Sequence, residues 1–218
     1  MKIITVPPQG IFAVNCYLVV SDAGNAALID APEGAERILA AAEKNGVKIK
    51  KILLTHGHCD HIESLAGLAS ATGAEVYIHE MDAGKLTDSY TNLSQFFSEY
   101  LEKPAESYNG AVCLSDGDTV KLDELTFTVL HTPGHTSGSV CYVIGDVIFS
   151  GDTLFKNSIG RTDMPDGNQI TLFESLKRLE NFRGEHEDYR LLSGHGSETT
   201  LMREKNNNPF LNGNMFDY

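Results

Sequence analysis

Tryptophan is absent from this 218-residue chain, basic residues are scarce, and no apolar run is long. Each shortage excludes something. Lys and Arg number 17 against 30 Asp and Glu, a formal net charge of −13. That field repels phosphate backbones and anionic lipid, so no nucleic-acid or membrane-surface partner is expected. No apolar stretch approaches the roughly 20 residues of a spanning helix. The opening Met1-Lys2-Ile3-Ile4-Thr5-Val6-Pro7-Pro8 runs into prolines where a secretory signal would stay apolar. The cysteines, Cys16, Cys59, Cys113 and Cys141, form no C-x-x-C pair. They read as thiols of a reducing compartment rather than a disulfide framework, and a cytoplasmic protein is expected.

What is present is punctuated by glycine and alternates strands with helices. Residues 11–20 and 25–30 are strand-like around the turn Asp22-Ala23-Gly24, and Glu33 to Asn45 has helical spacing with Gly46 beyond its end. Lys51–Thr55 reads as a short buried strand. A helix is predicted from Asp60 to Gly73, then a strand over Ala74–His79. Residues 80–112 interrupt this grammar with Tyr90, Phe96, Phe97, Tyr100, Leu101 and Tyr108 among polar residues, broken by Pro104 and Gly110. One or two helices with an apolar core of their own are expected there; a lid over a pocket is the sharper alternative. Strand pairs follow at Thr119–Leu122 with Leu125–His131 and at Val140–Ile144 with Val147–Ser150. A helix around Leu172–Leu179, a strand at Arg190–Ser193 and a helix over Glu198–Asn207 complete an α/β chain, expected to be one domain over 1–218.

The chemistry is concentrated in Thr55-His56-Gly57-His58-Cys59-Asp60-His61, directly after the apolar Ile52-Leu53-Leu54. Imidazole and carboxylate are donors for zinc and non-haem iron, and folding alone gives no reason to crowd them at a strand end. Similar settings recur downstream. His135 lies in Thr132-Pro133-Gly134-His135-Thr136, Asp152 in Ser150-Gly151-Asp152-Thr153, and His195 in Ser193-Gly194-His195-Gly196. Each follows an apolar strand through a glycine-assisted bend. If those strand ends align, all these donors meet at one edge.

In that order, H-x-H-x-D-H, T-P-G-H-T, S-G-D and G-H-G, the chain resembles the metallo-β-lactamase superfamily from about residue 13 to its end. The resemblance implies a four-layer αβ/βα sandwich holding two divalent metal ions, zinc first, with iron or manganese compatible. It assigns His56, His58 and His135 to one ion and Asp60, His61 and His195 to the other, with Asp152 bridging. Ser158-Ile159-Gly160-Arg161-Thr162-Asp163 and the ending Asn208-Pro209-Phe210-Leu211 resemble small type II glyoxalase-like hydrolases. The implied activity is cleavage of a small-molecule thioester such as a hydroxyacylglutathione by a metal-bound hydroxide, which Asp60 orients. In departure from the larger type II glyoxalases, a C-terminal helical region that contributes to glutathione binding is not expected here. The rival from the same superfamily is a glutathione persulfide dioxygenase, with one iron on His56, His135 and Asp152.

Other candidates carry blander readings. Arg161 suits a substrate carboxylate, but Asp163 and Asp166 lie close in sequence. Phe155, Ile159 and Met164 are candidates to line the pocket. Asp30 and Asn15 are expected to support the ligand loops, His79 and His131 to be structural, Cys59 to be a bystander thiol, and His186 to sit in a solvated charge cluster.

Overall fold

The computed structural model describes residues 1–101, 105 and 107–211. Pro104, and residues 212–218 of the span expected for the domain, lie outside that set. Two six-stranded sheets carry the chain. The first contains β1 (Lys2–Val6), β2 (Cys16–Val20), β3 (Asn25–Ile29), β4 (Lys48–Leu53), β5 (Glu75–His79) and β6 (Val112–Leu114) in sequence order. The second runs β14-β13-β10-β9-β8-β7, with β7 (Thr119–Leu122), β8 (Leu125–His131), β9 (Val140–Ile144), β10 (Val147–Gly151), β13 (Arg190–Ser193) and β14 (Thr199–Thr200). A small hairpin, β11 (Leu154–Phe155) and β12 (Ser158–Ile159), stands apart.

Apolar side chains on both faces of each sheet explain the layering. Along β2, Leu18 and Val20 face one core while Tyr17 and Val19 face another, the alternation that a pleated strand imposes. The first core lies under α1 (Ala35–Lys44) and α3 (Leu65–Thr72), through Ile38, Ala42, Leu65 and Leu68. The second joins sheet to sheet through Ile29, Leu53, Phe127, Tyr142 and Phe149. The third seats α5 (Gln169–Glu180) and α6 (Leu201–Asn207) on the second sheet through Leu172, Leu176, Leu191 and Leu201. Helix, sheet, sheet, helix: the αβ/βα sandwich is the observed fold. None of the cysteines is in a disulfide, and among the described residues no helix is long and apolar enough to cross a membrane.

Several expectations need correction. The N-terminal stretch is an edge strand, and β2 starts only at Cys16 because residues 10–13 turn, with Ala13 at φ 49°. The helix expected over Asp60–Gly73 is broken at Glu63-Ser64 into α2 (Cys59–Ile62) and α3. The last helix starts at Leu201, since Thr199 and Thr200 pair with β13 and the Thr200 hydroxyl caps the helix. Described residues of the 80–112 excursion form a 3-10 turn (Glu80–Leu86), the short α4 (Ser94–Phe97) and, at its end, strand β6. Their apolar side chains do not make a separate core. Leu93, Leu101 and Phe97 pack with Phe12, Cys59 and Met164 beside the His-rich loop.

His79 and His131, closing β5 and β8, stack face to face across the sheets with centroids 3.9 Å apart. Nδ1 of His79 accepts the Met81 N–H, and Nε2 of His131 donates to the Ser137 carbonyl. Burial first, then the neighbouring His131, hold His79 below the ordinary imidazole range, against the pull of Glu80, Asp82 and Asp116. The unfolded chain therefore binds a proton at this position that the folded chain resists, and stability falls as pH drops below about 6.5. His79→Phe keeps a stackable ring and should flatten the fall in urea-unfolding stability between about pH 7 and pH 5. An unchanged slope would remove His79 from that acid sensitivity.

Candidate metal centre

Topology brings the donor loops together. Strands β8 and β10 both run antiparallel to β9, and β13 runs parallel to β10, so all three end at one edge of the second sheet. There His135, Asp152 and His195 follow them in the chain. From the first sheet, β4 leads into His56 and His58, while Asp60 and His61 sit on α2. Hydrogen bonds lock the edges together. The Val140 N–H donates to the Thr55 carbonyl (2.9 Å), the Tyr142 hydroxyl to Leu54 (2.9 Å) and the Tyr17 hydroxyl to Ser193 (2.8 Å).

All seven predicted donors converge. His56, His58 and His135 present ligand atoms within 4.8 Å of one another, and so do Asp60, His61 and His195. Nδ1 of His58 lies 2.9 Å from Nε2 of His135. Asp152 stands between the groups. Its Oδ2 lies 3.6 Å from His135 Nε2 and 3.3 Å from His195 Nε2, and its Oδ1 lies 3.4 Å from His61 Nε2. Asp60 Oδ2 approaches His195 Nε2 at 3.4 Å.

Supporting groups set ring orientation. Asp30, with φ 58°, accepts the Thr55 N–H and hydroxyl (2.7 and 2.8 Å) and faces His61 Nδ1 at 2.9 Å. Its expected supporting role is thus realised, and Nε2 of His61 is left aimed at Asp152. The Arg161 carbonyl accepts from His135 Nδ1 at 2.8 Å, leaving Nε2 free to ligate. Asn15 donates to the carbonyls of Ser193 and Gly196, fixing the His195 loop.

The arrangement fits divalent cations by its own chemistry. Nε2 of His56 and His58 are buried without a hydrogen-bond partner, and Nε2 of His61 and Oδ1 of Asp152 have no partner but each other, 3.4 Å apart without hydrogen-bond geometry. Such orphaned atoms are costly, and a cation satisfies lone pairs that no donor reaches. Burial, reinforced by the neighbouring imidazoles, keeps His56 well below the usual range and His58 at about 3, so both are neutral, as ligation requires. On the other side burial opposes the imidazolium, yet Asp152, Asp30 and Asp60 hold His61 well above the usual range. Burial likewise opposes the charge on His195, but hydrogen bonds from its ring to Asp152 and Asp60 lift it to about 9. Carboxylates thus gather positive charge here even through protons.

A cavity of about 170 Å³ opens over the donors. Phe12, Cys59, Leu93, Phe97 and Met164 supply its wall, and Arg161 reaches it. The Phe12 and Phe97 rings meet edge to face at 5.5 Å. Of these, Phe12 and Leu93 were not picked out in the sequence, because no local motif marks a residue that arrives from a distant loop, whereas Phe97 belongs to the 80–112 excursion whose alternative reading was a lid over a pocket. Phe155 and Ile159 sit elsewhere: Phe155 meets the His195 ring edge-on at 6.1 Å, and Ile159 packs with the third core. Arg161 forms paired 2.7 Å hydrogen bonds with Asp163. Cys59 lines the wall, and burial pushes its thiol up to about 12, so it is no thiolate donor.

If cations link these loops, removing them with a chelator should lower the melting temperature, and adding zinc back should restore it. His58→Ala should shrink that metal-dependent shift by weakening one ion. A melting temperature indifferent to chelator in the parent chain would contradict the fit.

Comparisons with known proteins agree with this geometry. Residues 10–195 match the family model described as the metallo-beta-lactamase superfamily. Hydroxyacylglutathione hydrolase GloC of Haemophilus influenzae is 36% identical over 96% of this chain and 98% of its own. The crystal structure of BLEG-1 B3 metallo-beta-lactamase superposes with a TM-score of 0.87 at 31% identity, covering 97% of this chain and all (100%) of that one. TTHA1623, in a di-iron-bound form, gives 0.81 at 35% identity, with the same coverage of 97% and 100%. The chain belongs to the metallo-beta-lactamase superfamily.

Proposed function

We propose that this protein is a cytoplasmic dinuclear metallo-hydrolase that cleaves a thioester such as a hydroxyacylglutathione. His56, His58 and His135 hold one divalent ion, Asp60, His61 and His195 hold the second, and Asp152 is shared. The observation that carries the reading is Asp152, whose carboxylate faces His135 from one group and both His61 and His195 from the other. The likeness to hydroxyacylglutathione hydrolase GloC supports the thioester class. Zinc, iron and manganese all suit these donors, and a di-iron relative keeps iron in view.

Bound there, two divalent cations would supply a nucleophile at neutral pH and polarise the thioester carbonyl. The chain's own residues do the rest. Asp60, partly exposed at the cavity, accepts a hydrogen bond from the attacking oxygen at its carboxylate and aims it at the carbonyl carbon. Asp30 and the Arg161 carbonyl keep the His61 and His135 rings from turning. Phe12, Leu93, Phe97 and Met164 shield the reacting carbon from bulk water. Arg161, tied to Asp163, offers its remaining N–H groups to a carboxylate on the substrate.

The competing arrangement, a single iron on His56, His135 and Asp152 with persulfide as substrate, leaves Asp60, His61 and His195 without work. Their donor atoms lie within 4.8 Å of one another, so a second ion would give them work, and the Ser158–Asp163 segment with Asn208-Pro209-Phe210 favours the hydrolase.

Asp60→Asn tests the reading on lactoylglutathione. Turnover should fall by about 10²–10⁴-fold while KM moves little. Near-parental turnover with metal bound would remove Asp60 from the chemistry. A parental chain with both sites filled that leaves lactoylglutathione intact would remove the substrate class.

A further inference from the structure

Asp82 lies outside every motif and is fully buried, yet it touches both loops that supply the first group of histidines. Its Oδ2 accepts the N–H of Gly57 (2.8 Å), the residue between His56 and His58. The same oxygen accepts the hydroxyl of Thr136 (2.8 Å), which follows His135. Its Oδ1 accepts the N–H of Gly138 (2.9 Å). Gly57 leaves the first sheet and Gly138 the second, so one carboxylate bridges loops that share no strand pairing.

The approach is close on both sides. A Cβ on Gly57 would come within 2.7 Å of Lys85 Cβ, and one on Gly138 within 2.6 Å of the Asp82 nitrogen. Neither glycine has a left-handed φ, so the need there is room for the 80–86 turn rather than backbone freedom. Lys85 neutralises the buried charge. Its Nζ lies 3.2 Å from Asp82 Oδ1 and also pairs with Asp166, which accepts from Ser137 in the His135 loop. Asn92 adds a further tie, donating to the Lys85 carbonyl and accepting the Cys59 N–H at its own.

We infer that Asp82 is a positioning residue for the His56–His58–His135 group, clamping its two source loops at ligand spacing. Asp30, by contrast, touches both groups: it faces His61 Nδ1 and holds Thr55, whose hydroxyl lies 3.1 Å from His56 Nδ1. The inference rests on the proposed assignment of metals to these groups. It makes a prediction that a merely structural Asp82 would not: its loss is selective between the two ions. An amide at position 82 turns an N–H₂ group either toward the Gly138 N–H and the Lys85 ammonium or toward the Gly57 N–H; the Thr136 hydroxyl can turn to accept it, but neither glycine N–H can, so the clamp loses a glycine contact on that side.

The test uses full-length protein loaded with cobalt(II) and dialysed against graded chelator. Visible bands are assigned to either group with His58→Ala and His195→Ala. Asp82→Asn should release the first-group ion at chelator concentrations on the order of 10–100-fold lower, with the second-group band unmoved. Thr136→Val removes one bond to Asp82 at nearly constant volume and should show the same selectivity to a smaller degree; it decides the question if Asp82→Asn does not fold. Retention of both ions at parental affinity in Thr136→Val, or loss of both in step in a folded Asp82→Asn, overturns the inference. A parental chain that takes up no cobalt overturns the metal assignment itself and the clamp with it. Parental uptake with an indifferent variant overturns the clamp alone.

Discussion

A buried carboxylate facing imidazoles on several sides is the interaction from which the rest of this structure follows. Asp152 sits where the two sheets end, within 3.3–3.6 Å of nitrogens on His61, His135 and His195. Negative charge in such a place is tolerable only beside positive charge. The carboxylates raise the proton affinity of His61 and His195, and divalent cations answer the same demand while satisfying nitrogens that no hydrogen bond reaches. The chain's net charge of −13 is consistent with a site that gathers cations.

Holding that carboxylate in place requires the sheets to end together. The sheet-to-sheet core of Leu53, Phe127, Tyr142 and Phe149 fixes their spacing, and the hydrogen bonds of Tyr17, Tyr142 and Val140 fix their edges. On this base stand two further buried aspartates with different duties. Asp30 steadies Thr55 and His61, and Asp82 ties Gly57 to Thr136 and Gly138. Behind the metal-facing donors, Glu204 and Asn208 perform a comparable task on the β11–β12 hairpin. Glu204 accepts the Asn157 N–H, and Asn208 donates to the carbonyls of Phe155 and Ser158. Asn208 of the Asn-Pro-Phe stretch thus has a physical role: it holds the hairpin that leads into Gly160 and Arg161 beside His135.

What could be read in the sequence follows from range. Donors such as His56, His135 and His195 announce themselves because a strand, a glycine bend and an imidazole are neighbours in the chain. The alternation of strands and helices was legible as α/β for a related reason, but the four-layer arrangement came only with the family resemblance of the donor motifs; the apolar burial of β2 on both faces agrees with it. Asp82 and Lys85 were invisible because their partners, Gly57, Thr136 and Asp166, are remote in sequence and no periodicity links them. Phe12 and Leu93 were hidden likewise, and Phe97 was ambiguous, since aromatic residues in an irregular stretch suit a private core as well as a shared wall. Arg161 shows the converse. Its motif suggested an anchor for substrate, but the Asp163 carboxylate two residues on already occupies much of its fork.

The central claim is that both donor groups are filled at once, and the ratio of metal to chain in the purified protein tests it most directly. Elemental analysis should find about two divalent ions per chain. A single iron per chain, with oxygen consumed on glutathione persulfide, would contradict the account.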